Sequence, residues 1–116
     1  MTDEIAKLRD TVRRFADERD WDQFHSPKNL AAALTVEAAE LLEHFQWLNE
    51  EESKKLSSEK LAAVQAELAD VFIYLVRLAD KLHVDLVAAA NQKIAANAKK
   101  YPVDKSKGNA KKYDEL

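Results

Sequence analysis

The chain contains a single glycine, Gly108, among its 116 residues, whereas an average usage of about 7% would give roughly eight. Glycine-rich loops hold phosphate groups through closely approaching backbone N–H groups, and side chains would block that approach. The P-loop and Rossmann classes of nucleotide-binding protein are therefore excluded. Tight hairpin turns also favour glycine, and the only prolines are Pro27 and Pro102, so an all-β fold is disfavoured. The sequence predicts an all-α protein.

The composition narrows the classes of function further. The chain has no cysteine, which excludes disulfides, thiolate nucleophiles and cysteine-ligated zinc or iron–sulfur sites. We expect a cytoplasmic protein, because the first residues do not resemble a leader and the longest apolar run, residues 71–76, is too short to span a membrane. The formal charge of −3 argues against a nucleic-acid partner, since such binding depends on Lys and Arg at phosphates.

Apolar residues at helical spacing predict four amphipathic helices. The first covers about residues 2–19. The second begins after Ser26, which can cap it, with Pro27 in its first turn, and its apolar stripe continues to Leu48. Residues 49–57 are mostly charged and do not continue the apolar pattern, so we expect a mobile loop there.

The second half of the chain continues the helical pattern. Ser57 or Ser58 can cap the third helix, and Asp85 can cap the fourth, which ends where a proline follows. We therefore divide the chain into a helical domain, residues 1–102, and an extended tail, residues 103–116. The apolar stripes are wide and rich in alanine, which leaves apolar area for a second copy of the chain. We expect a four-helix bundle that forms a homo-oligomer.

Four acidic residues stand at informative positions on the second and third helices. Glu37 and Glu40 are three residues apart, as are Glu67 and Asp70, so each pair lies on one helix face. Such pairs are common on solvated faces, but Glu37 falls inside its apolar stripe and Glu67 lies at the edge of its own. If those faces pack together, four carboxylates meet, and clustered anions require either salt bridges or bound cations.

We favour a bound metal over salt bridges, because no basic residue is predicted on the inner faces of these two helices. Oxygen ligation by carboxylates suits Mg²⁺, with Mn²⁺ also possible. A di-iron centre would require Glu-x-x-His pairs, which the two helices lack.

The same residues carry a resemblance to a known family. The segments Glu37-Ala38-Ala39-Glu40 and Glu67-Leu68-Ala69-Asp70 match the E-x-x-E and E-x-x-D signature of the MazG-like all-α nucleotide pyrophosphohydrolases. Longer stretches are similar to the dCTP pyrophosphatase branch of that family. These stretches are residues 15–25, 43–47, 70–76, 100–102 and 112–116.

The resemblance implies an enzyme that cleaves a nucleoside triphosphate, such as dCTP or a modified dCTP, between its α and β phosphates with Mg²⁺. It implies a homodimer or a dimer of dimers (a homotetramer). The residues that it implies as metal ligands and catalytic groups are Glu37, Glu40, Glu67 and Asp70. Those that it implies for the base and sugar pocket are Trp21, His25 and Trp47, and those for the phosphate end or the pocket are Tyr74, Lys93, Asn97 and Tyr101.

Other interpretations stay open at this point. Val12 stands where relatives of the vertebrate type carry a histidine, which bears on base selectivity. Tryptophans in a small bundle are usually core residues, His25 can be a capping side chain, and Asn97 can make a buried contact between helices. The whole chain can also be a helical interaction module without catalytic activity, or the same fold acting on another nucleotide such as dUTP. The lysine-rich tail could fold over a triphosphate.

Overall fold

The computed structural model describes residues 3–116, which form two compact units, residues 3–84 and residues 85–116. All regular elements of these residues are helical, which confirms the all-α class. The first unit contains α1 (Asp3–Glu18), a 3₁₀ turn (Asp22–Phe24), α2 (Pro27–Glu43), α3 (Glu50–Ser53) and α4 (Ser58–Lys81). The second contains α5 (Leu86–Lys100), α6 (Val103–Ser106) and a 3₁₀ turn (Tyr113–Glu115). Thr2, where we expected the first helix to begin, lies outside the described residues.

Helices α2, α4 and α5 begin at the predicted caps. The Ser26 hydroxyl accepts a hydrogen bond from the Asn29 backbone N–H (3.1 Å) at the start of α2. Ser57 accepts one from the backbone N–H three residues further on, also at 3.1 Å, at the start of α4, and the Asp85 carboxylate does the same for α5 at 3.0 Å. Each cap satisfies a backbone donor that has no partner inside its helix.

Two helices end in a left-handed residue that is not glycine. Asp20 follows α1 with a φ of 54°, and His83 follows α4 with a φ of 57°. At both ends a backbone N–H reaches five residues back, from Trp21 to the Ala16 carbonyl and from Val84 to the Ala79 carbonyl, each at 2.9 Å. These bonds define the Schellman motif, in which glycine usually takes the left-handed position.

The second predicted helix is shorter than its apolar pattern suggested. It ends at Glu43, and the chain continues through tight turns in which the Phe45 and Gln46 backbone N–H groups both bond to the Leu42 carbonyl (2.9 Å). Phe45 and Leu48 are still half-buried, so the turns keep the apolar spacing without continuing the helix. Periodicity alone does not separate these two conformations.

The prediction of an unstructured loop over residues 49–57 was wrong for its first half. Asn49 and Glu52 form a capping box, with the Asn49 side chain accepting from the Glu52 N–H (2.8 Å) and the Glu52 carboxylate accepting from the Asn49 N–H (2.9 Å). This reciprocal pair stabilises the short helix α3, whose four residues include no apolar side chain.

Helix α4 is the centre of the first unit, because α2 and α1 both pack against it. The buried apolar side chains are few: Ala16, Leu30, Val64, Val76 and Ala79. Along α4 and its C-cap residue a second row of large apolar side chains stays exposed. We call it the α4 stripe, and it consists of Leu61, Leu68, Phe72, Leu75 and the C-cap Leu82.

The second unit holds the C-terminal residues close to the end of α5. The tail is not extended throughout, because α6 begins directly after Pro102, whose ring fixes φ near −62° at the N-cap. The Tyr113 ring then lies edge-on to Tyr101 with 6.2 Å between ring centroids, and the Lys100 ammonium lies 4.9 Å from the Tyr113 ring centre. The division of the chain after residue 102 stays a prediction. No helix of the described residues has the length and apolar character needed to cross a membrane.

Candidate active site

The packing of α2 against α4 brings acidic side chains of both helices together. Glu37 on α2 and Glu67 and Asp70 on α4 each offer a carboxylate oxygen, and these oxygens all lie within 4.8 Å of one another. We call these three residues the acidic cluster. Glu40, one turn after Glu37, lies outside the cluster but close enough for its carboxylate to raise the pKa of Glu37.

Burial makes this cluster unusual. Glu37, Glu40 and Glu67 are half-buried, whereas Asp70 is exposed. Within the described residues, Glu37 Oε2 and Glu67 Oε2 are buried without a hydrogen-bond partner. A buried carboxylate oxygen without a partner destabilises the folded state, because the charge has lost its hydration and no hydrogen bond replaces it.

The neighbouring carboxylates also change how Glu37 ionises. Its pKa rises from the ordinary 4.5 to about 7, first because burial disfavours the charged form. The nearby carboxyl group of Glu40 adds to the rise, followed by repulsion from Asp70 and the proximity of the Glu67 carboxyl group. The site therefore repels anions and favours the binding of a cation or a proton.

Among the described residues, no Lys or Arg forms an ion pair that relieves this repulsion. In the part of the chain that the structure describes, the ion pairs of Lys and Arg involve other carboxylates, and none joins a member of the acidic cluster or Glu40. This agrees with the expectation from the sequence that the inner faces of these helices carry no basic partner.

A divalent cation fits this arrangement of oxygens. Ligand oxygens of one Mg²⁺ lie about 2.1 Å from the ion and so at most about 4.2 Å from one another. The cluster oxygens lie within 4.8 Å of one another, which is close to that limit. Its two orphaned oxygens, Glu37 Oε2 and Glu67 Oε2, provide a physical reason for a cation to bind here.

Phe15, Trp21 and His25, which precede α2 in sequence, lie close to one another in the structure. The Trp21 ring lies edge-on to Phe15 (5.7 Å between centroids) and to His25 (6.3 Å). His25 is half-buried, and its Nδ1 accepts a hydrogen bond from Arg77 Nε at 3.1 Å, so its side chain does not serve as a helix cap. Trp21 is 42% exposed and is therefore not a core tryptophan.

Trp47 follows the acidic residues of α2 in sequence, and Tyr74 follows those of α4. Trp47 is 87% exposed and lies in the turn after α2, so it is not a core tryptophan. Tyr74 lies on α4, one turn after Asp70, and is half-buried. An indole this exposed gains little from folding and is free to stack on a ligand.

The remaining three predicted residues belong to the second unit. Lys93 and Asn97 are exposed on α5, and in the described structure the Asn97 side chain makes no buried contact of the kind considered from the sequence. Tyr101 is the C-cap of α5, where its backbone N–H donates to the Asn97 carbonyl and its ring packs on Tyr113.

Sequence reasoning missed one residue that organises this region, Arg77. It is only 3% exposed, and it bonds to His25 and Asp22 while also pairing with Asp80. Arg13 on α1 also binds the Asp80 carboxylate and lowers the pKa of Asp80. In the sequence, Arg77 directly follows the apolar run 71–76 and stands three residues before Asp80. That is the spacing of a helical ion pair, and it could have indicated the role of Arg77.

Comparison with known proteins agrees with this geometry. The sequence matches the model of the MazG-like family over residues 32–116. It is 49% identical to dCTP pyrophosphatase 1 of Rattus norvegicus over 114 residues, which cover 97% of this chain and 67% of the rat protein. The human protein of the same name is 46% identical, with the same coverage of both chains.

A solved structure supports the fold as well. A pyrophosphatase from Archaeoglobus fulgidus superposes with a TM-score of 0.81 at 39% identity, covering 85% of this chain and 93% of that one. The chain therefore belongs to the MazG-like family, which confirms the resemblance noted from the sequence.

Proposed function

We propose that this chain is a Mg²⁺-dependent pyrophosphohydrolase that converts dCTP, or a modified dCTP, and water into the nucleoside monophosphate and pyrophosphate. The observation that carries the proposal is the acidic cluster, in which two facing glutamates each bury an oxygen without a partner. Relatives that are nearly half identical and named dCTP pyrophosphatase 1 support the choice of substrate.

Glu37, Glu67 and Asp70 would hold the cation, with Glu40 beside them. When bound, a divalent cation supplies positive charge at the phosphate oxygens and Lewis acidity at the α-phosphorus. Without that charge, a triphosphate with about four negative charges would be repelled by the carboxylates.

The carboxylates also offer a base for the reaction. Water attacks the α-phosphorus, the bond to the bridging oxygen of the β-phosphate breaks, and pyrophosphate leaves. The proton of the attacking water goes to a carboxylate that the cation does not saturate. We assign this role to a carboxylate oxygen of Glu40, because Glu40 lies next to Glu37 but outside the acidic cluster.

The rest of the site binds and orients the nucleotide. Trp47, the most exposed large apolar side chain of the described residues, would stack on the base, and Trp21 and His25 would form the base and sugar pocket. Tyr74, Lys93, Asn97 and Tyr101 would lie toward the phosphates or line the pocket. This substrate belongs to the nucleotide pool of the cell, so the proposal keeps the cytoplasmic location expected from the sequence.

The α4 stripe supports assembly into a homodimer or a dimer of dimers. Five large apolar side chains along one helix stay exposed in the single chain, while the buried core of the described residues contains only five apolar residues. An apolar surface of this extent usually marks an interface between proteins. A non-catalytic helical module would also use such a surface, but it would not need the acidic cluster.

The experiment that tests the function measures pyrophosphate release by the full chain from dCTP, 5-methyl-dCTP, dUTP and the other deoxynucleoside triphosphates, with and without Mg²⁺. We expect release from dCTP or its modified form, and a loss of at least about 100-fold for Glu37→Gln or Asp70→Asn, since even indirect partners of a metal contribute 10–100-fold. The matched control is Glu43→Gln, an exposed glutamate at the end of α2. Full activity of Glu37→Gln would contradict the proposal, and preferred turnover of dUTP would correct the substrate.

A further inference from the structure

Arg77 fixes which nitrogen of His25 can carry a hydrogen. Arg77 Nε lies 3.1 Å from His25 Nδ1. An arginine N–H always donates and has no acceptor, so Nδ1 must present its lone pair. A neutral imidazole that accepts at Nδ1 carries its hydrogen at Nε2.

The orientation of the Arg77 side chain is itself fixed by two aspartates. Its Nη2 donates to Asp22 Oδ1 at 2.9 Å, and its Nη1 lies 3.5 Å from Asp80 Oδ2. Arg13 Nε donates to the same Asp80 oxygen at 3.0 Å, and Lys81 Nζ donates to Asp22 Oδ1 at 2.7 Å. All three guanidinium nitrogens therefore have partners, and a buried group held in this way has little freedom to rotate.

The surroundings also oppose a positive charge on His25. Burial lowers the pKa of His25 first, and repulsion from Arg77 lowers it further. Asp22 acts in the opposite direction and Lys81 in the same direction as Arg77. Among the described residues, His25 Nε2 has no hydrogen-bond partner and is not fully buried.

We propose that Arg77 is a positioning residue that holds His25 as the neutral imidazole with its hydrogen on Nε2. His25 then meets a ligand only as a hydrogen-bond donor, and its partner is an acceptor oxygen, such as a base carbonyl, a sugar hydroxyl or a phosphate oxygen. The assignment of that oxygen to a nucleotide rests on the proposed function, whereas the tautomer does not.

Nitrogen-detected histidine spectra of the uniformly ¹⁵N-labelled full chain test the tautomer at pH 7 without any substrate. We expect His25 to show a protonated Nε2 and an unprotonated Nδ1 at pH 7. In Arg77→Met the His25 signals should move toward the average of the two neutral tautomers. A wild-type His25 that is protonated on Nδ1, or is already averaged, would overturn the proposal.

Kinetics with dCTP then separate positioning from a structural role. Arg77→Met should raise KM about two- to tenfold, the value of one lost hydrogen bond, with kcat changed less than KM. In a His25→Ala background the Arg77→Met substitution should add almost nothing, whereas a structural role would add its full effect there. Arg14→Met, an exposed arginine on α1, is the matched control.

The outcomes are distinguishable from those of the proposed function. If the wild-type chain does not turn over dCTP but His25 carries its hydrogen on Nε2, the function fails and the tautomer assignment stands. If Arg77→Met does not fold by circular dichroism, the wild-type spectrum still decides, because a His25 protonated on Nδ1 overturns the proposal without any variant.

Discussion

Glu37 on α2 and Glu67 on α4 approach each other across the helix interface, and each buries a carboxylate oxygen that has no hydrogen-bond partner in the described structure. Two such glutamates oppose folding unless something neutralises them. In a chain with almost no glycine, phosphate cannot be held by a backbone cradle. The glutamates offer the other route, in which side-chain oxygens bind a cation and the cation binds the phosphate.

The stability of the metal-free protein should fall as the pH rises from 5 to 8. In the folded chain the pKa of Glu37 is about 7, against an ordinary value of 4.5, so the folded state keeps a proton that the unfolded state has lost. Stability therefore decreases through this window and the loss is complete above the folded pKa. The loss in free energy of unfolding is at most about 3 kcal/mol, because each pH unit between the two pKa values, 4.5 and about 7, contributes about 1.36 kcal/mol. Thermal melts in EDTA measure it.

Glu37→Gln is the control for that pH dependence, since glutamine does not titrate. Its melting temperature should fall less between pH 5 and 8 than that of the wild-type chain. Added Mg²⁺ should also oppose the wild-type fall, because it binds the ionised cluster and stabilises the folded state by mass action. An identical fall in both chains would show that other groups cause it.

The α4 stripe should carry the contact between copies of the chain. Phe72→Glu together with Leu68→Glu places two charges in the middle of the stripe and should convert the oligomer into a monomer. Sedimentation velocity measures the change. Val103→Glu is the control, because Val103 is 76% exposed but lies on α6. A wild-type chain that is already monomeric would contradict the assignment.

His83→Gly should stabilise the protein. His83 holds a φ of 57° at the end of α4, a conformation that costs L-residues about 1–2 kcal/mol and costs glycine little. Part of that gain is lost to the greater freedom of glycine in the unfolded chain, so we expect about 0.5–1 kcal/mol and a rise of a few degrees in the melting temperature.

Asp20→Gly provides the comparison for His83→Gly. Asp20 has a similar φ of 54°, but its side chain accepts a hydrogen bond from the Gln23 amide at 3.0 Å. Its replacement by glycine should therefore stabilise the chain less. If both variants melt below the wild-type chain, the left-handed residues carry no strain.

Removal of residues 103–116 should raise KM for the nucleotide more than it lowers kcat, if this lysine-rich segment closes over the triphosphate. Tyr113→Ala is a milder test, since it removes the ring that packs on Tyr101 and under the Lys100 ammonium but keeps the tail lysines. Steady-state kinetics of the two variants give both constants. An unchanged KM in the deletion variant would remove this role for the tail.

Local signals in the sequence were sufficient for much of the fold. Ser26, Ser57 and Asp85 cap their helices as predicted, because a cap depends on a side chain and a backbone N–H three residues away. The end of α2 at Glu43 was not predictable in this way, since the apolar spacing continues through the turns that follow. The capping box of α3 depends on Asn49 and Glu52 alone, and the four residues of that helix carry no apolar spacing that would predict it.

The acidic cluster was also predictable, because the position of Glu37 within an apolar stripe already indicated that it turns inward. The role of Arg77 was not, since its partners Asp22 and His25 are more than fifty positions away in sequence and meet it only through packing. Pairings over that distance depend on tertiary structure, and helical spacing carries no information about them.

Phosphorus NMR of dCTP incubated with the full chain tests the central claim most directly, because it shows which phosphate bond breaks. With Mg²⁺ we predict signals of dCMP and pyrophosphate in equal amounts, and no turnover when EDTA removes the cation. Formation of dCDP and inorganic phosphate, or equal turnover in EDTA, would contradict the assignment of the acidic cluster as the metal site of a pyrophosphohydrolase.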